Sequence, residues 1–262
     1  VMITITNRQG KHLSVYVEGL ENAPAIVFSN SLGTDHAMWQ PQVDELKKQF
    51  KVITYDTRGH GQSDVIAETT VQNLAEDVID ILDALNIEKA HFCGISMGGL
   101  TALYLGIHHA DRFNSITVAN SAAKIGTAEA WLTRAEAVEQ NGLADLVAST
   151  HSRWFSSEFD YQENALAQQT IQSLANTPAQ GYANACRALA HEDLREQITN
   201  IQIPTLLIAG KFDPITTVDD AEFMQQRIAH SQLNILPASH LSNIEQPEGF
   251  TQAFQRFIEV IS

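Results

Sequence analysis

The sequence predicts an α/β protein: a mostly parallel, eight-stranded twisted sheet with flanking helices and an inserted helical cap. Three observations carry that expectation. Short β-rich runs alternate with segments of helical period, the pattern of strands joined by crossover helices. Several runs are apolar without interruption, among them Ile26-Val27-Phe28, Val52-Ile53 and Leu206-Leu207-Ile208, as strands covered on both faces require. The alternation then stops between residues 121 and 194, where only helical patterns occur.

Residues 2–6 and 12–18 alternate in polarity and meet at Gly10, which fits a hairpin. Further strand runs follow at 25–30, 51–56, 90–95, 114–119, 205–209 and 233–236. Over 71–85, Val71, Leu74, Ala75, Val78, Leu82 and Leu85 recur at steps of three and four, so this segment reads as a helix. Residues 249–261 repeat the pattern with Phe250, Phe254, Phe257, Ile258 and Ile261, and Pro247 stands just before them as a helix-start signal. In the middle of the chain the helical patterns break at Asn141-Gly142, Ser156-Ser157 and Thr177-Pro178, and the strand rhythm resumes at Ile201-Gln202-Ile203-Pro204. A core over 1–120 and 195–262 is expected, with a cap over 121–194 covering the strand ends.

Composition narrows the function. The 262 residues include 16 Lys and Arg against 31 Asp and Glu, a formal net charge of −15. A phosphate backbone needs a basic face, so no nucleic-acid partner is expected. No apolar run approaches the ~20 residues of a membrane span, and no basic-then-apolar leader opens the chain. Two cysteines make no disulfide framework. The expected compartment is the cytoplasm. His-Glu-x-x-His is absent and the cysteines are too few for a zinc cluster, so no metal and no cofactor is expected. Homo-oligomerisation stays open.

The chemistry centres on Gly94-Ile95-Ser96-Met97-Gly98. Gly-x-Ser-x-Gly is weak alone, but here a strand run leads in and a helical pattern (Leu100, Leu103, Tyr104, Ile107) follows. A strand-to-helix turn with Ser at its tip needs small neighbours, and Gly94, Gly98 and Gly99 supply them. A serine hydroxyl becomes a useful nucleophile only when a base takes its proton and a third group orients the base. In this architecture the chain order is Ser, acid, His. Asp213, in Gly210-Lys211-Phe212-Asp213-Pro214, lies just past one strand, and His240, in Ala238-Ser239-His240, just past the next. Taken singly, Asp213 could be a turn residue and His240 a packed or solvated one. Order and strand-end placement select them jointly, and nine other histidines lack both. Two backbone N–H groups are expected to form the oxyanion hole, those of Met97 and of Leu32 in the loop Asn30-Ser31-Leu32-Gly33-Thr34.

These residues resemble those of α/β-hydrolases: the loop 29–39, Asp56-Thr57-Arg58-Gly59-His60-Gly61-Gln62-Ser63-Asp64, the Ser96 elbow, the 210–214 loop and His240. More narrowly the chain is similar to the 3-oxoadipate enol-lactonases, through Phe28-Ser29-Asn30-Ser31-Leu32-Gly33, Asp35-His36-Ala37-Met38-Trp39, Ala123-Lys124-Ile125-Gly126-Thr127, Trp131, Arg134, Arg153-Trp154-Phe155 and Gly181-Tyr182. The resemblance implies an α/β-hydrolase fold and a serine hydrolase that opens a small anionic lactone through an acyl-enzyme. Many relatives carry His-Gly where this chain has Asn30-Ser31. The 56–64 segment is expected to brace the site, with His60 taking no part in the chemistry.

A chain of net charge −15 repels an anion at long range, so a local cation is needed. The cap offers Lys124, Arg134, Arg153 and Arg187. Trp131 and Arg134, three apart, share a helix face and could present an indole to the ring and a guanidinium to the carboxylate. Trp154 is a further candidate wall. The plainer alternatives are a surface Arg, a packing Trp131 and a Trp154 that is only cap core. Alternative functions are a carboxylesterase or carbon–carbon bond hydrolase of the same fold, and a non-catalytic ligand receptor. Haloalkane dehalogenases and epoxide hydrolases carry Asp at the nucleophile position and dienelactone hydrolases Cys, so Ser96 disfavours all three.

Overall fold

A computed structural model describes residues 1–261. Its eight strands are β1 (Met2–Thr6), β2 (His12–Gly19), β3 (Ala25–Ser29), β4 (Lys51–Tyr55), β5 (Ala90–Ile95), β6 (Phe113–Ala119), β7 (Thr205–Gly210) and β8 (Ser231–Leu236). They form one sheet in the order β1-β2-β4-β3-β5-β6-β7-β8. The β1–β2 and β2–β4 pairs are antiparallel, and every pair from β4–β3 to β7–β8 is parallel. Two strands start earlier than expected: β6 by one residue and, by two, β8. It is the sheet's edge, so polar Ser231 and Gln232 pair with Thr205 and Leu206 at little cost.

The helices are α1 (Gln40–Leu46), α2 (Val71–Ala84), α3 (Met97–His108), α4 (Ala128–Asn141), α5 (Ala144–Ser149), α6 (His151–Trp154), α7 (Ala165–Asn176), α8 (Ala179–His191), α9 (Val218–Arg227), α10 (Ser242–Glu245) and α11 (Pro247–Ile261). Local chemistry fixes their starts. Thr70 with Asn73 and Thr217 with Asp220 form capping boxes at α2 and α9. The apolar face of α11 buries Phe250, Phe254, Phe257 and Ile258. Phe254 lies 5.6 Å from Phe28 of β3, and Phe250 lies 5.8 Å from Trp39, ring centre to ring centre. Burying each such side chain stabilises the fold by about 1.5–3 kcal/mol.

Between β6 and β7 the described residues form α4 to α8 and no strand. Within this insertion α4 and α8 pack side by side. Helix α8 also meets the loop after β4, where a Cβ on Gly181 would sit 2.1 Å from the Gly59 carbonyl oxygen, so only glycine permits the approach. Asn184 Nδ2 donates to the Ile66 carbonyl at 3.0 Å beside it. The 56–64 loop is itself braced. Asp56 accepts from His36 N–H at 3.0 Å and Gln62 N–H at 3.0 Å, and buried Arg58 reaches Asp77 at 2.7 Å. Among the described residues no helix is long and apolar enough to cross a membrane.

Candidate active site

Ser96 is the single residue between β5 and α3, and it adopts φ 56°, ψ −112°. That left-handed backbone costs a non-glycine residue about 1–3 kcal/mol. The neighbourhood enforces it. A Cβ on Gly94 would lie 1.9 Å from the Gly98 oxygen, and one on Gly98 would lie 2.3 Å from the Ser29 oxygen, so the turn closes only with glycine at both. Ser96 N–H donates to Ala119 O at 2.9 Å and Ser121 Oγ donates to Ser96 O at 2.7 Å, pinning the elbow to β6 and the residues after it.

The expected partners converge on it. His240 Nε2 lies 2.9 Å from Ser96 Oγ, and His240 Nδ1 lies 2.8 Å from Asp213 Oδ2. An ionised carboxylate only accepts, so Nδ1 carries the proton and Nε2 is free to receive one. Asp213 stands in the loop after β7, His240 in the loop after β8, and both are buried. Oδ1 of Asp213 accepts from Ile215 N–H at 2.9 Å and Thr216 N–H at 3.2 Å. Oδ2 accepts from Thr216 Oγ1 at 2.9 Å and Asn120 Nδ2 at 3.1 Å, as well as from His240. Burial pushes this carboxyl up, but the His240 charge and the bonds from His240, Asn120 and Ile215 outweigh it and hold it below the ordinary range.

Asn120 went unnoticed in the sequence. It follows β6 with φ 46°, donates to Asp213 and to Ser239 O at 3.0 Å, and accepts from Ser242 Oγ at 2.6 Å. One amide thus ties the acid to both flanks of His240. The only sequence trace is an Asn at a strand end, which reads as an ordinary turn residue.

Leu32 lines the cavity above Ser96, and Met97 is the first residue of α3, where N–H groups lack helical acceptors. Neither N–H donates to another described residue. Met97 borders a small void beside Tyr55 and Leu74, and it is not among the residues that line the cavity above Ser96. His60 lies in the segment expected to brace the site and does so by a contact the sequence does not specify: its Nε2 accepts from Gly33 N–H at 2.9 Å and its Nδ1 donates to Arg58 O at 3.1 Å, holding the turn that carries Leu32. Burial lowers the His60 pKa and keeps the ring neutral. The Asn30-Ser31 departure is absorbed locally. Asn30 Oδ1 accepts from Trp39 Nε1 at 2.9 Å and Nδ2 donates to Tyr55 O at 2.9 Å, which locks the loop beneath Leu32.

Ser96, His240, Ser31 and Leu32 floor a cavity of about 210 Å³ whose opposite wall comes from the insertion. Trp131, Arg134 and Trp154 all line it, joined by Arg153 and Tyr182. Arg134 lies over the Trp131 ring, 5.0 Å from its centre, and Trp131 Nε1 donates to Ile125 O at 2.7 Å. The indole therefore presents an edge and one face rather than an open stacking plate. Trp154 is both wall and packing: it is buried and meets Phe155 edge-on at 6.5 Å. Arg153 stood among the four cations that the sequence offers for residues 121–194 but was not selected with Arg134, because no helical spacing ties it to Trp131. Burial and the neighbouring Arg134 charge lower its pKa. Among the described residues neither Arg134 nor Arg153 has a carboxylate partner, whereas Arg187 is paired with Glu139 at 2.5 Å. The cavity thus holds two unneutralised guanidinium groups against an apolar lining. That arrangement favours a small ligand with an ester-like centre at Ser96 and an anionic end at the cap.

Comparison with known proteins agrees with this chemistry. Residues 24–247 match the model of the alpha/beta hydrolase fold family. The chain is 73% identical over 259 residues to 3-oxoadipate enol-lactonase 1 of Acinetobacter baylyi, covering 99% of this chain and 97% of that protein. It is 47% identical over 238 residues to 3-oxoadipate enol-lactonase 2 of the same organism, covering 90% and 89%. The crystal structure of the enol-lactonase from Burkholderia xenovorans LB400 superposes with a TM-score of 0.95 at 38% identity, covering 98% of this chain and all of that one.

Proposed function

The chain belongs to the α/β-hydrolase family, and from that premise we propose that Ser96, Asp213 and His240 form its catalytic triad and residues 121–194 its substrate-selecting cap. It is a carboxylic ester hydrolase that opens 3-oxoadipate enol-lactone to 3-oxoadipate, in the β-ketoadipate route of aromatic catabolism. The near full-length similarity to two enol-lactonases carries the substrate. The Ser96–His240–Asp213 relay supports the route by which the ring opens.

The lactone enters with its carbonyl at Ser96 and its carboxymethyl group towards Arg134 and Arg153, against Trp131 and Trp154. His240 Nε2 takes the Ser96 proton as Oγ attacks the carbonyl carbon, and Asp213 stabilises the resulting imidazolium. The Leu32 and Met97 N–H groups receive the oxyanion, each worth about 3–4 kcal/mol in comparable sites. Collapse breaks the ring C–O bond. The leaving oxygen departs as an enol after His240 returns the proton, and the enol then ketonises. Water, deprotonated by His240, releases 3-oxoadipate from the acyl-enzyme. The oxyanion at Ser96 and the carboxylate at the cap are met by separate groups, so one end does the chemistry while the other selects the ligand.

The direct test is hydrolysis of the enol-lactone, followed by loss of its ultraviolet absorbance, beside a panel of neutral esters of similar size. The expected result is a kcat/KM for the lactone at least about tenfold above any neutral ester, as one charge-assisted hydrogen bond would give. Preference for the neutral esters would move the protein to the carboxylesterases. Ligand binding without turnover of any substrate would make it a receptor.

A further inference from the structure

Glu245 ends α10, five residues after His240, and it is a buried carboxylate with no cation partner among the described residues. Leaving a charge there is costly unless hydrogen bonds replace water. They do. Oε1 accepts from Ser239 N–H at 3.1 Å and from Ser156 N–H at 2.9 Å, and Oε2 accepts from Ser156 Oγ. The donors come from two segments far apart in sequence. Ser239 precedes the general base, and Ser156 follows the cap turn that carries Arg153 and Trp154.

Two more bonds join the same segments. Ser239 Oγ donates to Arg153 O at 2.9 Å, and Leu241 N–H donates to Trp154 O at 3.0 Å. The residues on either side of His240 are therefore fastened to the backbone of the two cap residues whose side chains wall the cavity. Glu245 is the only member of this seam that reaches both sides through its own side chain. An apolar residue in its place would fill the space yet orphan two amides.

We propose that Glu245 is a positioning residue: its carboxylate clamps the Arg153–Trp154 segment of the cap to the His240 loop, and so sets where a bound substrate carboxylate lies relative to the general base. This rests on the hydrolase reading given above. The clamp acts through hydrogen-bond acceptance rather than through negative charge. A glutamine at 245 can accept both backbone N–H groups on its amide oxygen and offer its NH2 to Ser156 Oγ, which can accept.

The test compares Glu245→Ala with Glu245→Gln on the anionic lactone and on a neutral p-nitrophenyl ester. Displacing a catalytic group by about 1 Å can cost up to ~100-fold in rate, so a partial shift of the loop should lower kcat of Glu245→Ala about tenfold on both substrates. Its KM should rise about tenfold for the lactone and stay within about twofold for the ester, because only the lactone uses Arg153. Glu245→Gln should remain within about threefold of the wild type in every constant. Wild-type kinetics in Glu245→Ala, even with a lowered melting temperature, would overturn the proposal and leave a structural residue. Equal losses in Ala and Gln, or equal KM rises on both substrates, would overturn it as well. If Glu245→Ala does not fold, Ser156→Ala removes one donor. A lactone-only KM rise of about twofold to threefold supports the clamp, and an unchanged KM opposes it. Failure of the wild type to open the lactone would instead remove the hydrolase reading, a separate outcome.

Discussion

The floor and the roof of the cavity are held by opposite means. On the sheet side, Asp213 receives five hydrogen bonds, Ser96 is locked in a strained backbone, and the Leu32 loop is braced by His60 and Asn30. On the cap side, Arg134 and Arg153 line the cavity without a carboxylate partner among the described residues, the Arg153 side chain donating only to Ser149 at 3.1 Å, and their mutual repulsion is left in place. The difference follows from what each side does. Groups that meet charge developing in a transition state must be aimed before it forms, so the scaffold behind them is fully bonded and reorganises little. The Leu32 and Met97 N–H groups proposed to receive the oxyanion are themselves left free among the described residues. Groups that recognise a charged ligand must keep bonding capacity in hand for it. Completed bonds mark the scaffold that holds the reacting groups, and free donors mark the two places proposed to receive negative charge, the oxyanion at the floor and the carboxylate at the roof.

The comparison breaks most visibly if the two functions can be separated by substitution. Ser96→Ala should lower kcat by about 10⁴-fold to 10⁶-fold, as triad removal does elsewhere. Binding of 3-oxoadipate, measured by calorimetry, should stay within about threefold, because the cap guanidinium groups are untouched. A parallel loss of binding would mean that floor and roof are not independent. Arg153→Ala and Arg134→Ala should behave in the reverse sense. Each should raise KM for the lactone about tenfold, with little change for a neutral ester and a nearly constant kcat. The double variant should lose less than the product of the single effects, since removing one guanidinium relieves the other's repulsion. Asn120 sharpens the floor further. Asn120→Gly keeps the left-handed backbone but deletes the amide that joins Asp213 to Ser239, so kcat should drop about tenfold and KM should hold. Asn120→Ala should do the same with an added loss of stability from the positive φ.

What could be read in the sequence divides along the same line. The sheet announces itself through continuous apolar runs, and Ser96 through glycines whose missing Cβ atoms the structure shows to be indispensable. Asp213 and His240 follow from chain order once Ser96 is fixed. Trp131 and Arg134 are reachable from the scarcity of cations and the helical spacing, and Trp154 through the resemblance carried by Arg153-Trp154-Phe155, but their arrangement is not: no spacing rule says that Arg134 will cover the indole it accompanies. Asn120, His60 and Glu245 lay beyond reach for a common reason. Each bonds at least in part to backbone atoms of a distant segment (Ser239 O, Gly33 N–H and Ser156 N–H), and backbone partners leave no residue type behind in the sequence. His60 sat in a quoted motif, yet only the Gly33 N–H on its ring shows what it holds.

The smallest expected effect concerns two buried histidines whose pKa values are shifted in the same direction and which differ in place. Burial lowers the pKa of His60, and it lowers that of His91 to about 4. A base kept neutral in the fold binds fewer protons there than in the unfolded chain. Its contribution to stability is therefore full above the ordinary imidazole value near ~6.5 and is lost as pH falls through the lower folded value. Both rings should make the protein less stable as pH falls below neutrality, the His91 loss extending to about pH 4, as read from denaturant midpoints. Replacing either should flatten that slope. Only one should touch catalysis. His60→Gln disturbs the acceptor of Gly33 N–H, next to the proposed oxyanion donor Leu32, and should reduce kcat by less than about tenfold, below the loss of a donor itself. His91 packs on Ser115 within the sheet, 2.8 Å from its hydroxyl, so His91→Asn should shift stability with kcat unchanged. A catalytic loss in His91→Asn equal to that in His60→Gln would show that general loosening of the sheet, rather than support of the Leu32 loop, accounts for both.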